Sequence, residues 1–179
     1  MLEALITSKT RIKLLMRFFL NENAESYLRN LEVEFGGSTN GIRVELNKFE
    51  SAGLLSSELK GNKKIFKANT KHPLFPDIHN ILIKHVGFDK IIDDIIEKLG
   101  SLYKVYVVGD YAKGISSQII DLVFVGDLID KEYLLKLVNK AEKTINCKIR
   151  YLVFAEDEIY SFLSQKENSD YLLLWNKEK

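Results

Sequence analysis

The sequence predicts an α+β protein with three helices and a β-hairpin in its N-terminal part, connecting helices, and a small mixed α/β sheet in its C-terminal part. Three observations predict it. Apolar residues recur at helical spacing as far as Phe49, two β-type runs flank the pair Gly61 and Asn62, and strand-length apolar runs alternate with helical patterns from Leu102 onward. The expected parts are residues 1–72, connecting helices over 73–100, and residues 101–179.

Between Ser8 and Asn21, the residues Ile12, Leu15, Met16 and Phe19 share one helical face, with Lys9, Arg11, Lys13 and Arg17 around it. A polar break follows. Ser26 is the expected N-cap of a second helix carrying Leu28, Leu31 and Phe35, which Gly36 and Gly37 close. A third helix is expected from Ser38 or Thr39, with Ile42, Leu46 and Phe49 facing inward and Gly53 as its stop. Leu54 to Lys60 and Lys63 to Ala68 then read as the two arms of a hairpin, because Gly61 and Asn62 accept the positive φ of a two-residue turn.

After Pro73 and Pro76, Ile78 to Val86 and Phe88 to Leu99 read as helices separated by Gly87. The second carries an apolar stripe of Phe88, Ile91, Ile92, Ile95, Ile96 and Leu99, suited to packing within the chain or against a second copy. From Leu102 the expected order is a strand, a helix opening at the glycines of Gly109 to Gly114, a strand over Ile119 to Val125, a helix over Asp130 to Ile145, a strand over Lys148 to Phe154, and a helix from Asp157.

Composition narrows the class. The 179 residues are 46% hydrophobic and 28% charged, which excludes a largely disordered chain. No apolar run reaches the length of a membrane span, the first residues mix acid and base unlike a signal peptide, and Cys147 is the one cysteine, so a cytoplasmic protein without membrane association is expected. Charge is uneven. Residues 1–72 carry 12 Lys and Arg against 8 acidic residues, whereas 73–179 carry 14 against 17, so the N-terminal part is the one suited to phosphate.

Two helices joined by a glycine turn and followed by a hairpin are the outline of a winged helix-turn-helix, in which the last helix enters the major groove of double-stranded DNA. The residues of the third helix pointing away from its apolar face are Thr39, Asn40, Arg43 and Asn47. Arginine bonds guanine through two parallel hydrogen bonds, and asparagine does the same with adenine. Lys60, Lys63 and Lys64 at the hairpin tip, with Lys67 behind them, suit phosphate contact without sequence preference. Each of these residues would otherwise serve as an ordinary solvated surface. Because such modules read two half-sites as two-fold dimers, a homodimer is expected.

The run SYLRNLEVEFGGSTNGIRVELNKFESAGLLSSELKGNKKIFKANTKHPLF resembles the winged helix of ArsR-like bacterial and archaeal regulators, in particular a subgroup in which it precedes a nucleotidyltransferase-like domain. The shared features are a YLR-type helix, a small-residue turn, a recognition helix ending in AGL, and a wing running into HPLF. Farther on, GDYAKG followed by IIDLVFVG resembles the GSxAxG and DxD signature of minimal polymerase-beta-like nucleotidyltransferases.

That second resemblance implies two metal ions about 3.5–4 Å apart, held by carboxylates of which two lie at i and i+2 on one strand. Here those positions are Ile119 and Asp121. The serine that follows the first glycine in the family is Asp110, whose charge repels phosphate although it would cap a helix, and the later strand offers Arg150 where a third acid belongs. Lost catalysis is the expectation, with Asp110 and Asp121 as vestiges, no metal site and no cofactor. Gly109 and Gly114 serve either a tight turn with close packing or a remaining nucleotide site.

The function expected is a DNA-binding transcriptional regulator with a catalytically degenerate second domain that serves dimerisation, ligand sensing or contact with a protein partner. The alternative is an active Mg²⁺-dependent nucleotidyltransferase acting on a partner protein, antitoxin-like, for which Asp110 or Asp127 would have to rebuild a metal site beside Asp121. A histidine metal sensor is disfavoured. His72 precedes the prolines, and His79 and His85 project roughly 120° apart on a helix, so exposed or capping roles are expected. Cys147 is expected to be small core filler.

Overall fold

The computed structural model describes residues 2–99 and 102–177, which divide into two compact units, residues 1–82 and 83–179. The boundary falls inside a helix, Phe75–Val86.

In the first unit a 3₁₀ turn, Leu2–Ala4, precedes α1, Lys9–Phe19, whose N-cap Ser8 accepts from the amide of Arg11. Helix α2 is Leu28–Phe35, closed by Gly36 in the left-handed region, and α3 is Thr39–Ser51, capped by Ser38. The hairpin strands are β2, Leu55–Lys60, and β3, Lys63–Ala68. Leu14, Phe18 and Phe19 of α1, Leu31 of α2, Ile42 and Leu46 of α3 and Phe66 of β3 are buried. Their match to the helical and two-residue periods explains why these segments fold together.

Two expectations change here. Ser26 does not cap α2; it lies buried in a short strand β1, Glu25–Tyr27, opposite Phe66. The hairpin therefore belongs to a three-stranded sheet of order β1-β3-β2. A three-residue strand offers too little period to read from sequence, and only pairing with β3 reveals it. Helix α3 stops as expected at Gly53, which follows the C-cap Ala52 with positive φ while the amides of Gly53 and Leu54 bond Glu50 O and Phe49 O.

A charged pair ties α1 to α3. Arg11 donates from Nε and Nη2 to Glu45 at 2.9 and 3.2 Å, and Glu45 is nearly buried. Hydrogen bonding from Arg11 holds the Glu45 carboxyl below its ordinary value of 4.5, against the opposing effect of burial and with help from Lys48. A depressed folded value means that the stabilisation is fully present above the ordinary value and is lost as pH falls through the depressed one. Thermal melting across the acid range should therefore show a loss of stability below about pH 4.5 that is smaller in Glu45→Gln. An acid limb of equal steepness in the variant would contradict this.

The second unit contains the end of α4, Phe75–Val86, and a helical run of α5, Phe88–Ile91, a π-helical turn over Ile92–Ile96 and α6, Glu97–Leu99. There follow β4, Leu102–Val108; β5, Ile119–Gly126; α7, Lys131–Ile145; β6, Lys148–Phe154; α8, Ile159–Ser164; and β7, Tyr171–Asn176. The sheet order is β6-β5-β4-β7, with β5 and β6 parallel and the other pairs antiparallel. Phe88, Ile91, Ile95 and Ile96 are buried, and α5 with its π-helical continuation packs against α7. Four of the six stripe residues are thus covered within their own unit, and Ile92 and Leu99 are half-buried. On one sheet face Val123 and Val125 pack with Ile159 of α8, Phe154 and Phe162.

The segment between β4 and β5 corrects a further expectation. Gly109 to Gly114 forms a single hydrogen-bonded turn, in which Gly114 N donates to Tyr111 O and Ile115 N to Asp110 O, and no helix follows. Positive φ at Gly109 and at Gly114 brackets too few residues for a helix to propagate. Asp110 consequently caps no helix. Strand β7 has no counterpart in the expectations, because Leu172, Leu173, Leu174 and Trp175 run in series and show no two-residue alternation.

Candidate functional site

With Ile42, Leu46 and Phe49 turned into the core, Asn40, Arg43 and Asn47 of α3 are left exposed to solvent. Beside them lies a cleft of about 550 Å³, bounded by α2, α3 and the tip of the hairpin. Thr39, Arg43 and Asn47 line one side of it, and Lys63 and Lys64 line another. Residues far apart in sequence are brought to one place, because β3 packs across the sheet while its tip overhangs the helix. Asn40 and Lys60 are not among the lining residues.

The polar groups differ in how freely they can meet a ligand. Thr39 Oγ1 donates to Glu32 Oε1, so its hydroxyl is engaged with α2. Lys64 pairs with Glu50 at 2.7 Å; this contact, followed by the Ser57 hydroxyl, keeps the Glu50 carboxyl below its ordinary range. Lys60 lies between Glu58 at 2.8 Å and Glu25 at 3.1 Å, and those carboxylates raise its ammonium above the ordinary lysine range. Lys63 sits over the ring of Tyr27 at 4.5 Å. A phosphate reaching Lys60 or Lys64 would have to displace carboxylates, whereas Lys63 rests against an aromatic ring.

Tyr27, Arg29 and Asn62 also line the cleft and are not among the residues the sequence singled out. Asn62 and Arg29 are polar residues in the turn and the first turn of α2, so their positions alone make them findable. Tyr27 is different. Its place depends on β1, whose pairing puts it opposite Ile65.

In the second unit the parallel register of β5 and β6 sets Arg150 opposite Asp121. The guanidinium donates from Nε to Oδ1 at 2.6 Å and from Nη2 to Oδ2 at 2.9 Å, and the carboxylate in turn raises the Arg150 guanidinium further. Behind Asp121 stands Gly109, where an added Cβ would lie 2.6 Å from Asp121 Oδ2. Asp127 accepts from Tyr103 Oη at 2.8 Å. Ile119 has no ligating atom. Among the described residues no group of three or more His, Cys, Asp or Glu side chains is placed to hold a metal ion. The Asp121 carboxylate is engaged by the Arg150 guanidinium, on which Asp110 also acts, and magnesium sites combine carboxylates with substrate phosphate, so ligation at Asp121 would require the arginine to leave.

The histidines and the cysteine are engaged locally. The Nδ1 of His79 donates at 2.8 Å to Phe19 O, the last carbonyl of α1, and its ring stacks on Phe75, so it caps that helix end and is half-buried there. His72 Nδ1 accepts from the amide of Leu74 at 3.2 Å. Cys147 is half-buried rather than core filler. It lines a polar cleft of about 690 Å³ with Gln118, Asn139 and Asn146, and burial pushes its thiol above the ordinary range.

No family model and no curated protein sequence matches this chain. Solved structures match in part. A protein from Archaeoglobus fulgidus is 17% identical with a TM-score of 0.39, over 48% of this chain and 97% of its own. A protein from Sulfolobus solfataricus, provisionally assigned as a nucleotidyltransferase, is 23% identical with a TM-score of 0.37, over 55% of this chain and 85% of its own. A provisionally assigned transcriptional regulator for arsenical resistance is 20% identical with a TM-score of 0.30, over 51% of this chain and 90% of its own. Among the described residues no helix is long and apolar enough to cross a membrane.

Proposed function

We propose that the chain is a sequence-specific, double-stranded-DNA-binding transcriptional regulator. In this reading the first unit is a winged helix-turn-helix, and the second is a nucleotidyltransferase-like domain that no longer transfers nucleotides. The observation that carries it is the convergence of Arg43 and Asn47 with Lys63 on one cleft, since a side-chain pair able to read base edges then lies beside a cation suited to phosphate. Base edges in the major groove would be read by Arg43 and Asn47. Asn40, Lys60 and Lys64 would add backbone contacts after exchanging partners. A homodimer reading two half-sites belongs to the same proposal, with its contact surface elsewhere than the covered residues Phe88, Ile91, Ile95 and Ile96.

The loss of catalysis is supported by the Asp121–Arg150 pair, which puts an arginine where a metal ion would need an open carboxylate. Gel shift against the DNA upstream of the chain's own coding region and against a randomised duplex pool tests the first part. Selective binding that weakens steeply with added salt is expected; no selection of any duplex would sink it. Incubation with labelled nucleoside triphosphate and Mg²⁺ or Mn²⁺ tests the second, where no transfer is expected. Transfer that disappears in Asp121→Ala would establish an active nucleotidyltransferase instead.

A further inference from the structure

The hairpin holds one apolar side chain that the fold does not use. By the two-residue alternation of β2, Leu55, Ser57 and Leu59 share a face. Leu55 is buried and the Ser57 hydroxyl reaches Glu50 of α3, so this face is the one turned toward the helices. Leu59 lies beyond the covered part and is 78% exposed. Its cross-strand partner is Lys64, whose ammonium is drawn toward Glu50, and its neighbours at the tip are the exposed Lys60, Asn62 and Lys63. The result is a leucine beside three lysines, of which Lys60 and Lys64 are paired with carboxylates and Lys63 rests on the ring of Tyr27.

We infer that Leu59 is a wedge that enters the minor groove and partly unstacks one base step, kinking the bound DNA. This rests on the DNA-binding reading above and adds what the hairpin does there. With α3 in the major groove, a hairpin beside that helix reaches across one sugar–phosphate strand to the adjoining minor groove. Lys63 then faces phosphate, Lys60 and Lys64 do so on exchanging their carboxylate partners, and Leu59 faces base edges. Proteins that bend DNA from the minor groove insert leucine and similar side chains between base steps and kink the duplex by about 20–90°. Pyrimidine–purine steps unstack most readily, so the wedge favours a TA or CA step beneath the hairpin without any hydrogen bond to it.

The test uses the full chain and duplexes it selects from a randomised pool, labelled at both ends for energy transfer. The wild-type complex should be bent, and selected sites should carry a pyrimidine–purine step at a fixed distance from the recognised bases. Leu59→Ala should leave melting unchanged, abolish the bend and weaken binding roughly tenfold. Leu59→Met should keep the bend, and Leu59→Lys should bind without bending. An unbent wild-type complex, or a Leu59→Ala complex bent like the parent, would overturn the wedge while leaving DNA binding intact. Self-association in the absence of DNA that Leu59→Ala removes would also overturn it, by assigning the leucine to a second copy. Failure to recover any duplex overturns the underlying reading and the wedge with it.

Discussion

Arg43→Ala is expected to weaken binding to the selected duplex about 10- to 100-fold and to relax preference at a single base pair. A good bidentate contact to a base is worth roughly 1–3 kcal/mol of discrimination, and each 1.4 kcal/mol is about tenfold in affinity. Its side chain is exposed on α3, outside the core formed by Ile42, Leu46 and Phe49, so melting should be unchanged. Lys63→Ala should behave differently. Losing one phosphate contact lowers affinity alike on every sequence and reduces the slope of log affinity against log salt by about 1. The double substitution should bring binding close to the non-specific level. If both variants bound like the parent, or if Arg43→Ala lowered all sequences equally with no loss of preference, α3 would not be the reading helix.

The second large effect concerns Gly109→Ala, which should destabilise the C-terminal unit by about 2–3 kcal/mol. Gly109 has φ +69°, and a side chain in the left-handed region costs about 1–2 kcal/mol. The added Cβ would also stand 2.6 Å from Asp121 Oδ2, so the carboxylate would have to move and the bidentate contact with Arg150 would break. That pair is exposed on the arginine side, where solvent screens the contact. Arg150→Ala alone should therefore cost little. Because the collision involves Asp121, adding Asp121→Ala to Gly109→Ala should recover part of the loss, with a coupling of about 0.5–1 kcal/mol in a double-mutant cycle. Strict additivity would mean that φ alone sets the requirement for glycine.

Much of the first unit was legible because its elements carry their own signals. The apolar faces of α1 and α3, the start of α3 at Ser38 or Thr39 and the Gly61–Asn62 turn are each local, and each lies where it was read. Where long-range pairing decides, the reading failed. Ser26 looks like a cap in sequence, yet it serves β1 because β3 offers it an open edge. The GDYAKG segment carries the glycines of a helix start, yet it makes one turn because both glycines take positive φ so close together. Likewise, β7 is a run of apolar residues whose strand identity comes from its pairing with β4.

For the candidate sites the division is the same. Sequence alone determined which residue types are available: Arg43 and Asn47 on the polar side of a helix, lysines at a turn, and a single acid at the i+2 position where Ile119 and Asp121 stand. Helical period and turn chemistry act over a few residues, so they can be read without knowing the fold. Which charges are already satisfied is a matter of tertiary packing. Lys60 and Lys64 are engaged by carboxylates, Lys63 rests on Tyr27, and Asp121 is held by an arginine 29 residues away. Strand register and helix packing alone bring those partners within hydrogen-bonding distance. A charge's capacity to meet a ligand depends on that distance, which spacing along the chain does not contain.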